Sequence, residues 1–445
     1  MNTPDPARRA AFEVLKAVRV KGAYTNLVLP HQLGKYRLAG RDAAFATELA
    51  AGTIRRQATY DAILAACTDR PLANTAAKVL DVLRLGCHQL LGMRVAPHAA
   101  ISTSVDLVRT EVGPGPSGFV IAVLRKVSAH DLDTWLTRID ADHATRHSHP
   151  QWVVDALSEA VGDTEIDALL AADNVPPAVT LVARPGRSTI DELDGRRTPY
   201  SPYGVVLSGG DPGATAAVAE GRAGVQDEGS QLVALALASA PLEGSDARWL
   251  DLCAGPGGKA ALLAALAAER GARLVANELQ PHRAELLRRS LAGADGVAEV
   301  TVADGTAPPW EPGSFDRVLV DAPCTGLGAL RRRPEARWRR RPGDLDTLVP
   351  LQRALVAAAV ELVRPGGVVL YATCSPVLAE TRDVVGALLV KRDDLKLGDA
   401  GSLLTAEAGL RRDVPDCAGP LQGTVQLWPH RHGTDAMFLA LLRRA

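Results

Sequence analysis

The sequence holds only six cysteines in 445 residues: Cys67, Cys87, Cys253, Cys324, Cys374 and Cys417. That is too few for a disulfide framework. No two of them form a CxxC pair, so a zinc site built on cysteines is excluded. His143, His147 and His149 cluster in HATRHSH without a carboxylate or cysteine pattern beside them, so no metal is expected. No stretch reaches the roughly 18 apolar residues that a membrane helix needs. The opening Met-Asn-Thr-Pro-Asp leads into a charged amphipathic segment and not an apolar signal core. The expectation is a cytoplasmic monomer with no membrane partner. Apolar residues make up 47% of the chain, enough for large cores, and the length suggests two or three domains.

Excess charge of one sign is also missing, since the formal net charge is −1. Its distribution is uneven. Residues 1–60 carry ten Lys/Arg against four acids, and 331–341 read RRRPEARWRRR. Both stretches are candidate phosphate-contacting surfaces or plain solvated faces. For the second, the favoured reading is nucleic-acid contact through Arg331, Arg332, Arg333 and Arg337. Trp338 can stack on a base or anchor the segment.

Three regions follow from the pattern. Residues 1–140 read as an all-α bundle, with Phe12, Leu15 and Val18, then Val79, Leu83, Cys87 and Leu90, at helical spacing. Residues 141–240 read as a connector helix headed by SHPQWVVDAL and a small α/β insert with strand-like runs at Val179–Val182 and Gly204–Leu207. Residues 184–200 carry no motif. Residues 241–445 alternate short apolar runs (WLDLCAG, RLVANEL, EVTVADG, FDRVLVDAP, GGVVLYATCS) with helical segments. Strands buried on both faces with crossover helices imply a mostly parallel, seven-stranded, Rossmann-like α/β sheet. TVQLWPH and AMFLALLRR are expected to close it as a hairpin-like edge.

The first of these strands runs into Cys253-Ala254-Gly255-Pro256-Gly257-Gly258-Lys259. A glycine-rich turn between strand and helix lets a ligand approach the backbone closely. It is not a Walker loop, because Cys253 and Ala260 stand where that pattern needs Gly and Ser/Thr. It is not the dinucleotide pattern GxGxxG either. Glu278 ends the second strand, where a carboxylate can take both ribose hydroxyls. Asp304 ends the third, placed for an adenine amino group. Acids at these strand ends without a pyrophosphate loop suit S-adenosylmethionine. The bland alternative makes Glu278 and Asp304 helix caps.

The fourth strand ends in Asp321-Ala322-Pro323-Cys324 and the fifth in Thr373-Cys374-Ser375. Ligands of open parallel sheets sit at the carboxyl ends of strands, so both cysteines face the cofactor's crevice. Thiolate addition to carbon 6 of cytosine makes carbon 5 nucleophilic enough to take a methyl group. Asp321 can then stabilise the adduct at ring nitrogen 3, and a base must remove the carbon 5 proton. These arguments do not decide which cysteine attacks.

The motifs GVQDEGSQLVA, LDLCAGPGGK, VADGT, DAPCTGLGALRRRPEARWRR, LQRALVAAA and WPHRHGTDAMF resemble the RNA cytosine-5 methyltransferases over about residues 225–445. The resemblance implies Cys374 as nucleophile and Cys324 as the residue aiding release. DNA cytosine-5 methyltransferases use one Pro-Cys cysteine instead. AAFEVLKAVRVKGAYTN, DAAFATELAAGTIRRQATYDAIL, VLRLGCHQLL and FVIAVLRKV resemble NusB and its RNA-binding relatives over about residues 6–130. Together the two resemblances imply a small-subunit RNA enzyme, with 16S rRNA as partner and S-adenosylmethionine as cofactor. Two rivals stand beside this: the same chemistry on transfer RNA, and a non-catalytic RNA-binding assembly factor.

Overall fold

The computed structural model describes residues 5–445, which divide into two compact units. The first runs through Ser158 and takes in two later segments, Thr164–Val175 and Leu330–Arg340. The second is made of Glu159–Asp163, Pro176–Ala329 and Arg341–Ala445.

The first unit is helical. Its opening helix, Pro6–Lys21, has proline at the first helical position, and the Asp5 carboxylate accepts from the Arg8 N–H at 2.9 Å. It stops at Gly22, whose φ of +58° suits a left-handed cap. Phe12 and Leu15 are buried on its inner face. Val79, Leu83 and Cys87 are buried on helix Ala77–Cys87 and join them in one core with Leu49, Ile63 and Leu124. The expected connector helix is instead three short ones, His143–His147, Gln151–Val161 and Ile166–Ala172. Ser148 in the left-handed region, followed by Pro150, ends the first, and Gly162 at φ +87° follows the second.

The arginine run lies inside this unit, which corrects the expectation at Arg331 and Arg337 and bears out the anchoring alternative for Trp338. Arg337 is fully buried. Its guanidinium donates to the Ser148 carbonyl at 3.0 Å, the Asn174 side-chain oxygen at 2.9 Å and the Asp173 carbonyl at 3.2 Å. Burial pulls its pKa down to about 9. Trp338 donates its indole N–H to the Ile54 carbonyl at 2.8 Å and packs against the helical core. Arg331 is buried, with its carbonyl accepting from Arg55 at 3.1 Å. The run is interrupted by Pro334 and Glu335, and Glu335 takes the Thr25 hydroxyl at 2.8 Å. Arg337 thus directs its guanidinium at buried carbonyls rather than at phosphates. Arg332 is half-buried, and Arg333 is exposed with its guanidinium 5.6 Å from the Tyr24 ring centre. Arg337→Ala therefore costs about 3–5 kcal/mol in urea unfolding of the full chain, because it strands buried acceptors. An unchanged midpoint with weakened RNA binding would contradict this.

The second unit holds two sheets. In the small one, β1 (Thr180–Ala183), β2 (Gly195–Arg197), β3 (Gly204–Leu207) and β4 (Ala223–Val225) pair antiparallel in the order β2-β3-β1-β4. The large sheet is built from β5 (Arg248–Asp251), β6 (Arg273–Asn277), β7 (Val297–Thr301), β8 (Phe315–Asp321), β9 (Val363–Thr373), β10 (Leu395–Leu397), β11 (Val425–Gln426) and β12 (Phe438–Arg444). Its order is β10-β12-β9-β8-β5-β6-β7, with β11 paired to β12. The five strands from β9 to β7 in that order are parallel, and the central ones are buried on both faces. β12 is not the edge. It lies antiparallel between β9 and the short β10. Helices Gly258–Glu269, Pro281–Leu291 and Leu345–Leu362 make the crossovers.

Candidate active site

Register places the chemistry. β8 and β9 run parallel with Asp321 opposite Ala372, so the turns after both strands leave the sheet at the same level. There the Cys324 and Cys374 sulfurs are 3.5 Å apart. Cys324 is buried and Cys374 half-buried. The contact with Cys374, reinforced by burial, raises the Cys324 pKa well above the usual thiol range. Lys259, from the first turn of its helix, puts its ammonium 2.9 Å from the Asp321 carboxylate. Burial works against that charge, but Asp321, Cys374 and Asp251 outweigh it, and the pKa ends above the ordinary lysine value. Lys259 thus links the glycine turn to the strand end that carries Asp321, a role beyond the one its motif suggests.

The turns are fastened by a group that the sequence motifs do not reveal. Glu380, fully buried, accepts from the Thr325 N–H at 2.8 Å and the Gln352 amide at 2.9 Å through one oxygen. Its other oxygen takes the Ser375 hydroxyl at 2.6 Å and the Thr325 hydroxyl. The same Gln352 amide holds the Pro323 carbonyl at 2.8 Å. Thr325 follows one cysteine and Ser375 the other. A single carboxylate therefore ties both cysteine turns together. The repeated Cys-hydroxyl pair, Cys-Thr and Cys-Ser, is the one sequence signal that points to it. Gly328 closes the arrangement: its N–H donates to the Cys374 carbonyl at 2.9 Å, and a Cβ there would meet the Ala436 carbonyl oxygen at 2.1 Å.

The residues expected to hold the cofactor come together around the ends of β5 and β6. Gly255 lies so close to Glu278 that a Cβ would stand 2.1 Å from its carboxylate, and Gly257 sits at φ +119°. Cys253, Ala254, Pro256 and Gly258 complete this turn. Glu278 is buried, takes the Gln280 N–H at 2.9 Å and stands 3.4 Å from Arg283. Asn277 cross-ties the strand ends, donating to the Leu252 and Ala303 carbonyls. Asp304 is exposed and accepts from the Thr306 N–H and hydroxyl, which lowers its pKa. Asp251, wholly buried, has no hydrogen-bond partner on either oxygen. A buried, unpaired acid under a glycine cradle, with the Glu278 carboxylate at the next strand end, fits a ligand carrying an amino group and a ribose.

Burial, reinforced by Asp321, pushes the Asp251 pKa up to about 8. The folded chain holds a proton there that an unfolded chain releases near pH 4, roughly. Stability from this group is thus complete at acid pH and falls as pH rises from there through about 8. Asp251→Asn is expected to flatten that fall, raising the melting temperature above pH 8 while weakening S-adenosylmethionine binding. Thermal unfolding between pH 5 and 9 checks it, and an unchanged slope would contradict it.

Fold and site define an S-adenosylmethionine-dependent methyltransferase with a NusB-like helical unit. Two family models match the chain, "16S rRNA methyltransferase RsmB/F" over residues 236–443 and "NusB family" over residues 5–129. A putative methyltransferase of Mycobacterium tuberculosis is 50% identical over 455 residues, covering 99% of this chain and 97% of that one. A probable ribosomal RNA small subunit methyltransferase B of Synechocystis is 30% identical, covering 99% of each. The chain belongs to the RsmB/F methyltransferase family. Among solved structures, that of PH0851 is similar over all of both chains with TM-score 0.80 at 22% identity. The structure titled NSun6 from Pyrococcus horikoshii with SFG covers 66% of this chain with TM-score 0.55 at 18% identity. These two likenesses show the fold. Among the described residues no helix is long and apolar enough to cross a membrane, and no group of His, Cys, Asp and Glu could hold a metal.

Proposed function

We propose that the chain methylates carbon 5 of a cytosine in 16S rRNA through a covalent adduct on Cys374. The observation that carries this is the pair of sulfurs 3.5 Å apart at the ends of adjacent strands. Cys374 is the more exposed of the two and interacts electrostatically with the Lys259 ammonium. Cys324, buried and held protonated, is the poorer nucleophile. Curated relatives named ribosomal RNA small subunit methyltransferase B, one from Pseudomonas putida at 34% identity over 91% of this chain, support the substrate.

The Cys374 thiolate adds to carbon 6, and the electron pair moves onto the ring. Asp321, bridged to Lys259, stands to hold a proton at ring nitrogen 3. S-adenosylmethionine supplies an electrophilic methyl group to carbon 5. Release then needs a base, which can be solvent water, to take the carbon 5 proton. That C–H pair re-forms the carbon 5–carbon 6 double bond as the carbon 6–sulfur bond breaks and the Cys374 thiolate leaves, a step that Cys324 aids. Glu278 and Asp304 would hold the ribose and adenine, and the glycine turn would carry the methionine portion. The exposed Arg333 would meet RNA phosphate.

The test incubates purified protein with methyl-labelled S-adenosylmethionine and unmethylated total RNA, then digests the RNA to nucleosides. Label is expected as 5-methylcytidine in small-subunit RNA. Label in transfer RNA alone overturns the substrate, and no label at all restores the reading of a binding factor.

A further inference from the structure

Four arginines from distant parts of the sequence meet on the second unit. Arg196 and Arg197 lie on β2, the edge strand of the small sheet, and Arg411 and Arg412 lie in the loop before β11. All four are exposed, and with Pro199 they line one open concavity of about 310 Å³. The two segments are fastened together. The Arg411 N–H donates to the Tyr200 carbonyl at 2.8 Å, and the Arg411 guanidinium donates to the Thr198 carbonyl. Arg412 sits over the Tyr200 ring, 4.9 Å from its centre. Arg197 has a carboxylate partner, Asp191 at 3.2 Å. The nearby Asp413 faces away into its own loop, accepting from the Ala406 N–H. Among the described residues, Arg196 and Arg412 pair with no carboxylate.

Gathering like charges costs free energy that a bound anion recovers. An edge strand needs charge to avoid pairing with another chain, but two arginines on β2 would suffice for that. The second pair, brought from more than two hundred residues away and bonded in place, is not explained by edge protection.

The loop also leads to the reaction centre. Its far end, Ala418–Pro420, lines a second pocket of about 140 Å³ with Pro376, Leu378 and Trp428, and Pro376 is two residues past Cys374. Six Cα–Cα steps lead from Arg412 to Ala418, so the two Cα atoms are at most about 22 Å apart. That is a span of a few nucleotides. We infer that Arg196, Arg197, Arg411 and Arg412 form a phosphodiester-binding site that grips the RNA backbone a few nucleotides from the target base. This rests on the RNA-methyltransferase reading. Guanidinium groups suit the site because each can take two phosphate oxygens at once.

The experiment compares the full-length chain with Arg196→Ala/Arg412→Ala and Arg196→Lys/Arg412→Lys, using unmodified 16S RNA transcript. Binding is measured across a salt series, separately from methyl transfer. The alanine pair is expected to weaken RNA binding about tenfold or more at low salt. It should also flatten the slope of log K against log salt by about 1.4 to 1.8, as for two lost phosphates. The lysine pair should restore the slope. Retained S-adenosylmethionine binding shows that the variants are folded. An alanine pair with wild-type affinity and slope overturns the site. A wild type that binds RNA with the expected slope but transfers no methyl group overturns the reaction and leaves the site standing.

Discussion

Cys324→Ala, mixed with RNA and S-adenosylmethionine, is expected to accumulate a protein–RNA species that survives a denaturing gel. Cys374→Ala forms none. Both variants lose turnover, for opposite reasons. Without the Cys374 sulfur no adduct forms and carbon 5 never gains its electron density, so product formation drops on the order of 10⁴- to 10⁶-fold. Without Cys324 addition and methyl transfer proceed, but release fails and the chain stays attached. The two sulfurs are close enough for one to serve a base already bonded to the other. Both variants should keep their melting temperature within a few degrees, because each removes one small group. An adduct in Cys374→Ala and none in Cys324→Ala would reverse the two roles.

The second large effect comes from a residue that touches neither sulfur. Glu380→Gln is expected to lower the turnover number about 10²-fold, with the KM for S-adenosylmethionine nearly unchanged. Glutamine keeps the size but replaces one acceptor with a donor, facing the hydroxyls of Thr325 and Ser375. The hydroxyls must then rotate from donors to acceptors, and the cysteine turns lose their common charged anchor. A misplacement of about 1 Å at reacting atoms costs roughly that factor. A merely structural residue would lower the melting temperature and leave the turnover of the folded fraction intact. Glu380→Asp, which keeps the charge on a shorter stem, is expected to recover part of the rate. Single-turnover kinetics beside thermal unfolding separate these outcomes. A folded Glu380→Gln with wild-type turnover would remove Glu380 from any positioning role.

Much of the fold and of the site is legible in the amino-acid sequence. The parallel strands announce themselves as short, mostly apolar runs, and their ends name Gly255, Glu278, Asp321, Cys324 and Cys374. Local signals suffice because each strand end precedes a turn whose residues have few alternatives. What stays hidden depends on distant partners. Glu380 reads as an ordinary helix-entry acid until the fold stacks two turns upon it. Arg331 and Arg337 read as a basic surface, since nothing in RRRPEARWRRR reveals that the helical unit's carbonyls lie around it. Arg196 and Arg412 are more than two hundred residues apart and join only through the loop before β11. β10 escapes notice because three residues at a sheet edge carry too little pattern.

The most direct measurement uses RNA transcribed with 5-fluorocytidine. Fluorine at carbon 5 cannot leave as a proton, so the reaction should stop after methyl transfer with enzyme still attached. Wild-type protein is expected to form a stable complex with this RNA that requires S-adenosylmethionine and carries its methyl group. After protease digestion, the peptide bonded to RNA should contain Cys374. A linked peptide containing Cys324 instead, or methyl transfer with no covalent complex, would contradict the mechanism.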